Sequence, residues 1–107
     1  MNAKGVEAAV DLAAEYAALV LAREKALDTP RKANRLFDRA HAIAVRLRAT
    51  EEGRAALVSL LLHEHRGVRL GVAAECAPFA PDQARVILRE LIDPRGRHSF
   101  DAEMTLK

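Results

Sequence analysis

The sequence of 107 residues has few sulfur-containing and aromatic side chains: one cysteine, no tryptophan, one tyrosine and three phenylalanines. A single cysteine, Cys76, excludes an internal disulfide framework and a zinc site made of several cysteines. The charges nearly balance, with 17 basic and 15 acidic residues, which excludes a strongly electrostatic protein such as a histone-like DNA coat. Glycine-rich phosphate loops and Gly-x-Ser-x-Gly motifs are also missing. We therefore expect no cofactor and no enzymatic activity.

Long apolar runs are missing near the N-terminus as well. The longest there, residues 16–22, falls far short of the ~20 residues that a membrane span needs, and no cationic start precedes it. We therefore expect a cytoplasmic protein that makes no membrane contact. The length is typical of one domain, so the sequence predicts a single domain over residues 1–107.

Ala, Leu, Arg and Glu, which favour helices, fill the segments between the prolines and glycines. The spacing predicts an all-α protein of about five or six antiparallel helices without a sheet. The first should cover residues 3–26, and the second should start at Pro30 with Thr29 as its N-cap. A third should start after Thr50 and stop at a break at residues 66–67. Further helices are expected at residues 68–77, at 81–92 and after Ser99.

The second helix carries a stripe of apolar residues at helical spacing, which we expect to be buried: Ala33, Leu36, Phe37, Ala40, Ile43, Ala44 and Leu47. The first helix is apolar over most of its circumference, with Asp11 and Glu15 at a narrow polar edge. A helix of that kind lies at the centre of a fold or against a partner.

The segment 57–92 resembles a HEAT-like repeat, in which two helices pack through small faces. The resemblance is carried by Leu60–Leu62, by Val68-Arg69 followed by Ala73-Ala74, and by the helix with Ala84, Leu88 and Leu91. Residues 34–38, Val68-Arg69-Leu70, and Phe100 with Ala102, Glu103 and Leu106 are similar to a small bacterial family with a HEAT-like fold and no established activity. This resemblance, over residues 10–107, implies a right-handed α-α superhelix. It also implies a structural Arg69, substantially buried and bonded to a neighbouring turn. Gly71 stands where a bulky residue often packs, so we expect a small gap or a close helix contact there.

Two sets of polar residues on the second helix are candidates for binding. Asn34, Asp38 and His41 are four and three residues apart and therefore lie along one face, where Asp38 could orient His41. A basic ridge runs along the same helix and beyond it; its members are Arg31, Lys32, Arg35, Arg39, Arg46, Arg48 and Arg54. Residues 29–54 hold seven basic and three acidic groups, a net charge of +4. The structural alternative for both sets is an ordinary solvated or interhelical polar face.

Two further motifs favour structural interpretations. His63 and His65 are two residues apart, ~200° around a helix, so they cannot share a metal ion unless the turn unwinds. They are better explained as favourable histidines at a helix C-terminus. Cys76 follows alanines and directly precedes Ala77-Pro78, so it is more typical of a packed apolar residue than of a nucleophile.

These observations favour a non-catalytic helical-repeat domain that binds a protein, of an immunity or adaptor type, through the face of the second helix. An alternative is a nucleic-acid-binding protein that uses the basic ridge, although no aromatic residue is interleaved for base stacking. A third hypothesis is an enzyme centred on Asn34, Asp38 and His41.

Overall fold

A computed structural model of the chain describes residues 3–92. The regular structure in this range is entirely helical: α1 (Ala3–Lys25), α2 (Pro30–Arg48), α3 (Glu51–Ser59) followed by a 3-10 turn (Leu60–Leu62), α4 (Arg66–Cys76) and α5 (Pro81–Ile92). The all-α prediction is therefore confirmed for these residues, while the HEAT-like superhelix stays a prediction. The helix expected after Ser99 lies outside the described residues. No helix between residues 3 and 92 combines the length and the hydropathy that crossing a membrane requires.

The helix starts at Pro30, Glu51 and Pro81 follow from local chemistry. The Thr50 hydroxyl oxygen accepts a hydrogen bond from the Gly53 N–H at 2.9 Å, which satisfies one of the free donors at the start of α3. Pro30 starts α2 as predicted, and Thr29 occupies the N-cap position, although its side chain makes no capping hydrogen bond. Pro81 starts α5 at the predicted residue.

Two histidine rings accept hydrogen bonds from the backbone that connects the 3-10 helix Leu60–Leu62 to α4. His65 is the N-cap of α4, and its Nδ1 accepts a hydrogen bond from the Gly67 N–H at 3.1 Å. His63 Nδ1 accepts from the His65 N–H at 3.0 Å. The helix consequently starts at Arg66, two residues before the expected start, and passes through Gly67. The sequence indicated histidines at the end of a helix, but His65 instead begins one.

Arg69 closes the same turn from within α4. Its Nη1 donates hydrogen bonds to the carbonyl oxygens of His63 and Glu64 at 2.9 and 3.0 Å. The bond to a neighbouring turn is of the expected kind, but Arg69 is half-buried and not substantially buried. Its guanidinium ties the start of α4 to the residues that lead into it.

Short side chains dominate the core of residues 3–92, where half of the buried apolar residues are alanines. The long helix α1 packs against α2, α3 and α4, so it occupies the centre, and α5 packs against α4. The largest fully buried side chains are Leu47, Leu57, Val68, Val72 and Cys76. Alanine faces allow neighbouring helix axes to approach closely, because the distance between helices is set by the side chains at the contact.

The prediction that Phe37 is buried with the rest of the α2 stripe is wrong. Its side chain is 50% exposed, while Ala33, Ala40 and Ala44 are buried. Phe37 lies three residues before Ala40, ~60° around the helix, which places it at the edge of the stripe. It forms one wall of a cleft.

Gly53 marks the closest approach between α2 and α3. A Cβ atom at this position would overlap the backbone carbonyl of Leu47, which sits in the last turn of α2 and is itself buried. At Gly67 an added Cβ would overlap the carboxylate of Glu24, the end of a side chain that is 40% exposed, and would lie 3.3 Å from His65 Nδ1, so it would meet side-chain atoms and no backbone. The same substitution therefore faces a rigid obstacle at one site and a movable one at the other.

We expect Gly53→Ala to lower the free energy of unfolding by about 3 kcal/mol or more, because backbone atoms must move apart. Gly67→Ala should change it by less than ~1 kcal/mol, because Glu24 swings aside and alanine favours the helix. Chemical denaturation followed by circular dichroism measures both variants. Equal losses at the two glycines would contradict the close α2–α3 contact.

Candidate binding cleft between α1, α2 and α4

A cleft of about 260 Å³ opens between α1, α2 and α4. We call it the α1–α2–α4 cleft. It is lined by Tyr16, Val20, Arg23 and Glu24 from α1, by Phe37, Ala40 and His41 from α2, and by Gly67, Leu70, Gly71, Ala74 and Glu75 from α4. Three helices therefore contribute aromatic, acidic and basic side chains to one concave surface.

Glu75 and His41 form a hydrogen-bonded pair inside this cleft. His41 Nδ1 lies 2.9 Å from Glu75 Oε2 and 3.2 Å from Oε1, so one ring N–H is shared between the two carboxylate oxygens. Glu75 is 9% exposed and is the one charged or polar residue that is buried in the described part of the chain. The His41 side chain is 49% exposed. The pair therefore joins a nearly buried carboxylate to the solvent-facing edge of α2.

Glu75 was not among the candidate residues taken from the sequence, although a signal for it exists. Val68, Val72 and Glu75 are four and three residues apart, and the two valines are fully buried. A residue on that stripe must point inward, whatever its polarity. A lone acidic residue among Ala73, Ala74, Cys76 and Ala77 is therefore the sequence sign of a buried carboxylate.

Tyr16 packs against the cleft opposite Gly71. A Cβ atom at Gly71 would lie 2.8 Å from the Tyr16 hydroxyl oxygen, so the glycine provides the room for this ring. Of the small gap or close helix contact expected at Gly71, the structure shows a close approach of the Tyr16 side chain beside a cleft. Burial raises the pKa of the Tyr16 hydroxyl above its ordinary value of 10.0, and the negative charges of Glu75 and then Cys76 raise it further. Tyr16 therefore presents a protonated hydroxyl at neutral pH.

Phe37 and Leu70 form apolar walls on opposite helices of the cleft, 50% and 47% exposed. The Phe37 and His41 rings are nearly parallel, with 3° between their planes and 6.3 Å between their centroids. The guanidinium carbon of Arg23 lies 5.4 Å from the centroid of the Phe37 ring, within range of a cation–π contact. Arg23 Nε is closed off from solvent and has no hydrogen-bond partner among the described residues.

Glu24 lies at the mouth of the cleft and is paired with the turn before α4. Its Oε2 is 3.3 Å from His65 Nε2, and both side chains are 40% exposed. His65 thus contacts α1 through one ring nitrogen and caps α4 through the other. This contact joins two walls of the cleft near their ends.

The structure separates the candidates on α2 that the sequence grouped together. His41 bonds to Glu75, and no hydrogen bond joins it to Asp38 within residues 3–92, so Asp38 does not orient it. Asn34 and Asp38 are exposed and do not line the cleft. The expected Asn34, Asp38 and His41 cluster is therefore not a joined polar site.

Arg35 and Arg39 of the basic ridge lie on a different face of α2 from His41. Arg31, Arg35 and Arg39 are exposed, and none has an ion pair with another residue in the described range. Arg35 and Arg39 are six and two residues from His41, so they lie ~120° and ~160° away from it around the helix. Arg35 and Arg39 therefore point away from the α1–α2–α4 cleft.

Cys76 is fully buried, and burial raises the pKa of its thiol, which disfavours the reactive thiolate. Its Sγ lies 4.0 Å from the Ala73 carbonyl oxygen. Among residues 3–92, no three His, Cys, Asp or Glu side chains are grouped so that they could hold a metal ion.

A larger groove, about 470 Å³, lies between α1 and α3. Alanines and aliphatic residues line most of it, among them Val10, Ala14 and Leu60, with Ser59 and His63 at its side. It holds no carboxylate or arginine. The smaller α1–α2–α4 cleft carries the more varied chemistry and is the stronger candidate for specific recognition.

Tyr16 is the sole tyrosine of a chain without tryptophan, so its ionisation can be followed directly by ultraviolet absorbance. A raised pKa means that the folded state keeps its proton at a pH where the unfolded chain has lost it. The contribution of Tyr16 to the free energy of unfolding is therefore complete below pH ~10, and it decreases as the pH rises from there towards the pKa of the folded state.

Glu75→Gln should lower the pKa of Tyr16 and still leave it above the ordinary value, because burial is the larger cause of the shift. Glu15→Gln is the control, because Glu15 is next to Tyr16 in sequence but is exposed. Identical Tyr16 titrations for Glu75→Gln and the unsubstituted protein would contradict the placement of the Glu75 carboxylate near the Tyr16 hydroxyl.

Comparison with known proteins identified no relative of the chain. No family model, curated protein or solved structure matches the chain significantly. Membership of the HEAT-like family therefore stays a prediction from the quoted motifs. The support for a function comes from the geometry of the chain's own residues.

Proposed function

We propose that the chain is a non-catalytic helical interaction domain, in the cytoplasm, that binds a partner protein in the α1–α2–α4 cleft. It would act by covering or recruiting that partner, as an immunity-type or adaptor protein does. A HEAT-like arrangement of paired helices, which often present one face for binding, fits the same proposal.

The observation that carries the proposal is the half-exposure of Phe37 and Leu70 on either side of a concave surface with a nearly buried carboxylate. Large apolar side chains that face a cleft lose contact with water when a partner binds, at roughly 25 cal/mol per Å² of apolar surface. Buried aromatic anchors surrounded by a few polar groups are typical of the residues that dominate binding energy. Arg23 and Glu24 supply charged groups at the edge of the cleft.

Affinity capture from native lysate tests the proposal with three matched baits: the original chain, Phe37→Ser and Val86→Ser. Val86 is 54% exposed on α5 and lies outside the cleft, so it controls for the loss of any exposed apolar side chain. We expect quantitative mass spectrometry to find a protein that the original chain and Val86→Ser retain and that Phe37→Ser loses by at least ~tenfold. A partner that Phe37→Ser retains and Val86→Ser loses would place the binding surface on α5.

The second candidate function is nucleic-acid binding through the basic ridge. It is favoured by the exposure of Arg31, Arg35 and Arg39 without ion pairs among the described residues. Because Arg35 and Arg39 lie on a different face of α2 from the cleft, substitutions there test the two functions separately. Phosphate contacts release counterions, so such binding would weaken steeply as salt increases.

Arg35→Glu with Arg39→Glu tests the basic ridge. If the ridge contacts phosphates, the plot of log affinity for duplex DNA against log salt should become less steep by about two. Arg85→Glu is the control, because Arg85 is an exposed arginine on α5 that is already paired with Asp82 at 3.6 Å. Equal slopes for the double variant and the original chain would exclude the ridge as the contact surface. Folding should be unaffected, since exposed charges contribute little to stability.

A further inference from the structure

We propose that the α1–α2–α4 cleft receives an arginine side chain of the partner protein, whose guanidinium bonds to Glu75 and packs beside the Phe37 and His41 rings. This inference deepens the proposed interaction and rests on it. It specifies the chemistry that the partner must present, namely a planar cation next to an apolar side chain.

Glu75 has unused capacity to accept hydrogen bonds in the cleft. A carboxylate offers about four acceptor positions, and the donor that Glu75 has in the described range is the single His41 ring N–H. The carboxylate lines the cleft, although it is nearly buried and bonds to His41 of α2. A guanidinium, with its fixed pair of N–H donors, matches a carboxylate with two free lone-pair directions.

The charges around Glu75 also favour a cation. The groups lining the cleft include two carboxylates, Glu24 and Glu75, and one arginine, Arg23. Glu75 lies in the last turn of α4, at the negative end of the helix dipole, and that turn has no basic residue. An incoming positive charge is attracted by the carboxylates and by the helix end together.

The aromatic walls favour arginine over lysine. Arg23 already lies over Phe37 with its guanidinium carbon 5.4 Å from the ring centroid, so this surface accommodates a planar cation. The Phe37 ring stacks parallel to the ring of His41, whose Nδ1 bonds to Glu75, so the aromatic pair lies beside the carboxylate. Guanidinium groups stack on aromatic faces and are less strongly hydrated than the compact ammonium of lysine. Arg23 makes no ion pair with Glu75 in the described range, so the carboxylate stays available to a second guanidinium.

The size of the cleft suits one side chain. Its volume is about 260 Å³. That is room for one extended side chain, whereas a helix with its side chains is ~10 Å across and would have to lie outside. Leu70 and Phe37 at the edges would then contact the residues that flank the arginine.

The test uses two synthetic probes, acetyl-Leu-Arg-Leu-amide and the same peptide with citrulline, which has the shape of arginine without its charge. They are titrated into the full ¹⁵N-labelled chain, and the amide signals of Gly67 and Gly71 report on the cleft by NMR. We expect the arginine probe to shift these signals at millimolar concentration and to bind at least ~tenfold more tightly than the citrulline probe. This comparison needs no variant, so a failure of Glu75→Gln to fold cannot obscure it.

Three variants show which residues determine the affinity for the arginine probe. Glu75→Gln should reduce the affinity for the arginine probe by ~tenfold and remove the preference over citrulline. Arg23→Ala should tighten binding, because it removes a like charge and uncovers the Phe37 ring. Glu15→Gln, exposed on α1 outside the cleft, should bind as the original chain does.

The proposal is overturned by equal affinity for the two probes, by an undiminished preference in Glu75→Gln, by weaker binding in Arg23→Ala, or by no shift at tens of millimolar. If any of these occurs while Phe37→Ser still loses its partner in the capture experiment, the interaction domain stands and only the arginine chemistry is wrong. If the probe behaves as expected but no captured protein depends on Phe37, the cleft binds guanidinium groups and the proposed protein interaction fails.

Discussion

The close approach of helices through alanine and glycine is the constraint on which the rest of the structure depends. Gly53 rests on the backbone of α2, and Gly71 leaves room for the ring of Tyr16. In a core made so largely of alanine, the buried Tyr16 ring needs the room that Gly71 leaves on the facing helix. The α1–α2–α4 cleft lies beside this ring, so the packing that stabilises the fold also provides the cavity in which Glu75 and His41 meet.

Helix α2 presents two chemically distinct faces as a result. On one side Phe37 and His41 border the cleft, and on the other Arg35 and Arg39 face solvent without ion pairs among the described residues. The two sets are interleaved in sequence, since Phe37 lies between the two arginines. A single helix therefore separates an apolar and acidic surface from a basic one, and a partner that contacts both would have to wrap around α2.

The helices were predictable from sequence because their starts depend on local chemistry. Proline at positions 30 and 81 and the Thr50 cap fix three starts within the chain itself. The start of α4 was placed too late, because histidine is an uncommon N-cap and its role depends on the ring nitrogen that it turns towards Gly67. The candidate site was predictable in part. His41 was identified from the sequence, but its partner Glu75 lies 34 residues away, so the spacing on one helix could not reveal the pair. Phe37 lies at the edge of the apolar stripe of α2, and the packing of the neighbouring helices decides whether a residue at that edge is buried or exposed.

The turn from His63 to Arg69 determines where this chain can accept inserted residues. Its backbone groups are bonded by two imidazole rings and one guanidinium over seven positions, so one added residue would shift donors and acceptors out of register. The turn between α1 and α2 is bonded differently, through backbone contacts such as Thr29 N–H to the Ala26 carbonyl, and its residues 27–29 are exposed. A peptide tag or a fluorescent domain therefore belongs at residues 27–29, where the chain can lengthen without disturbing α4.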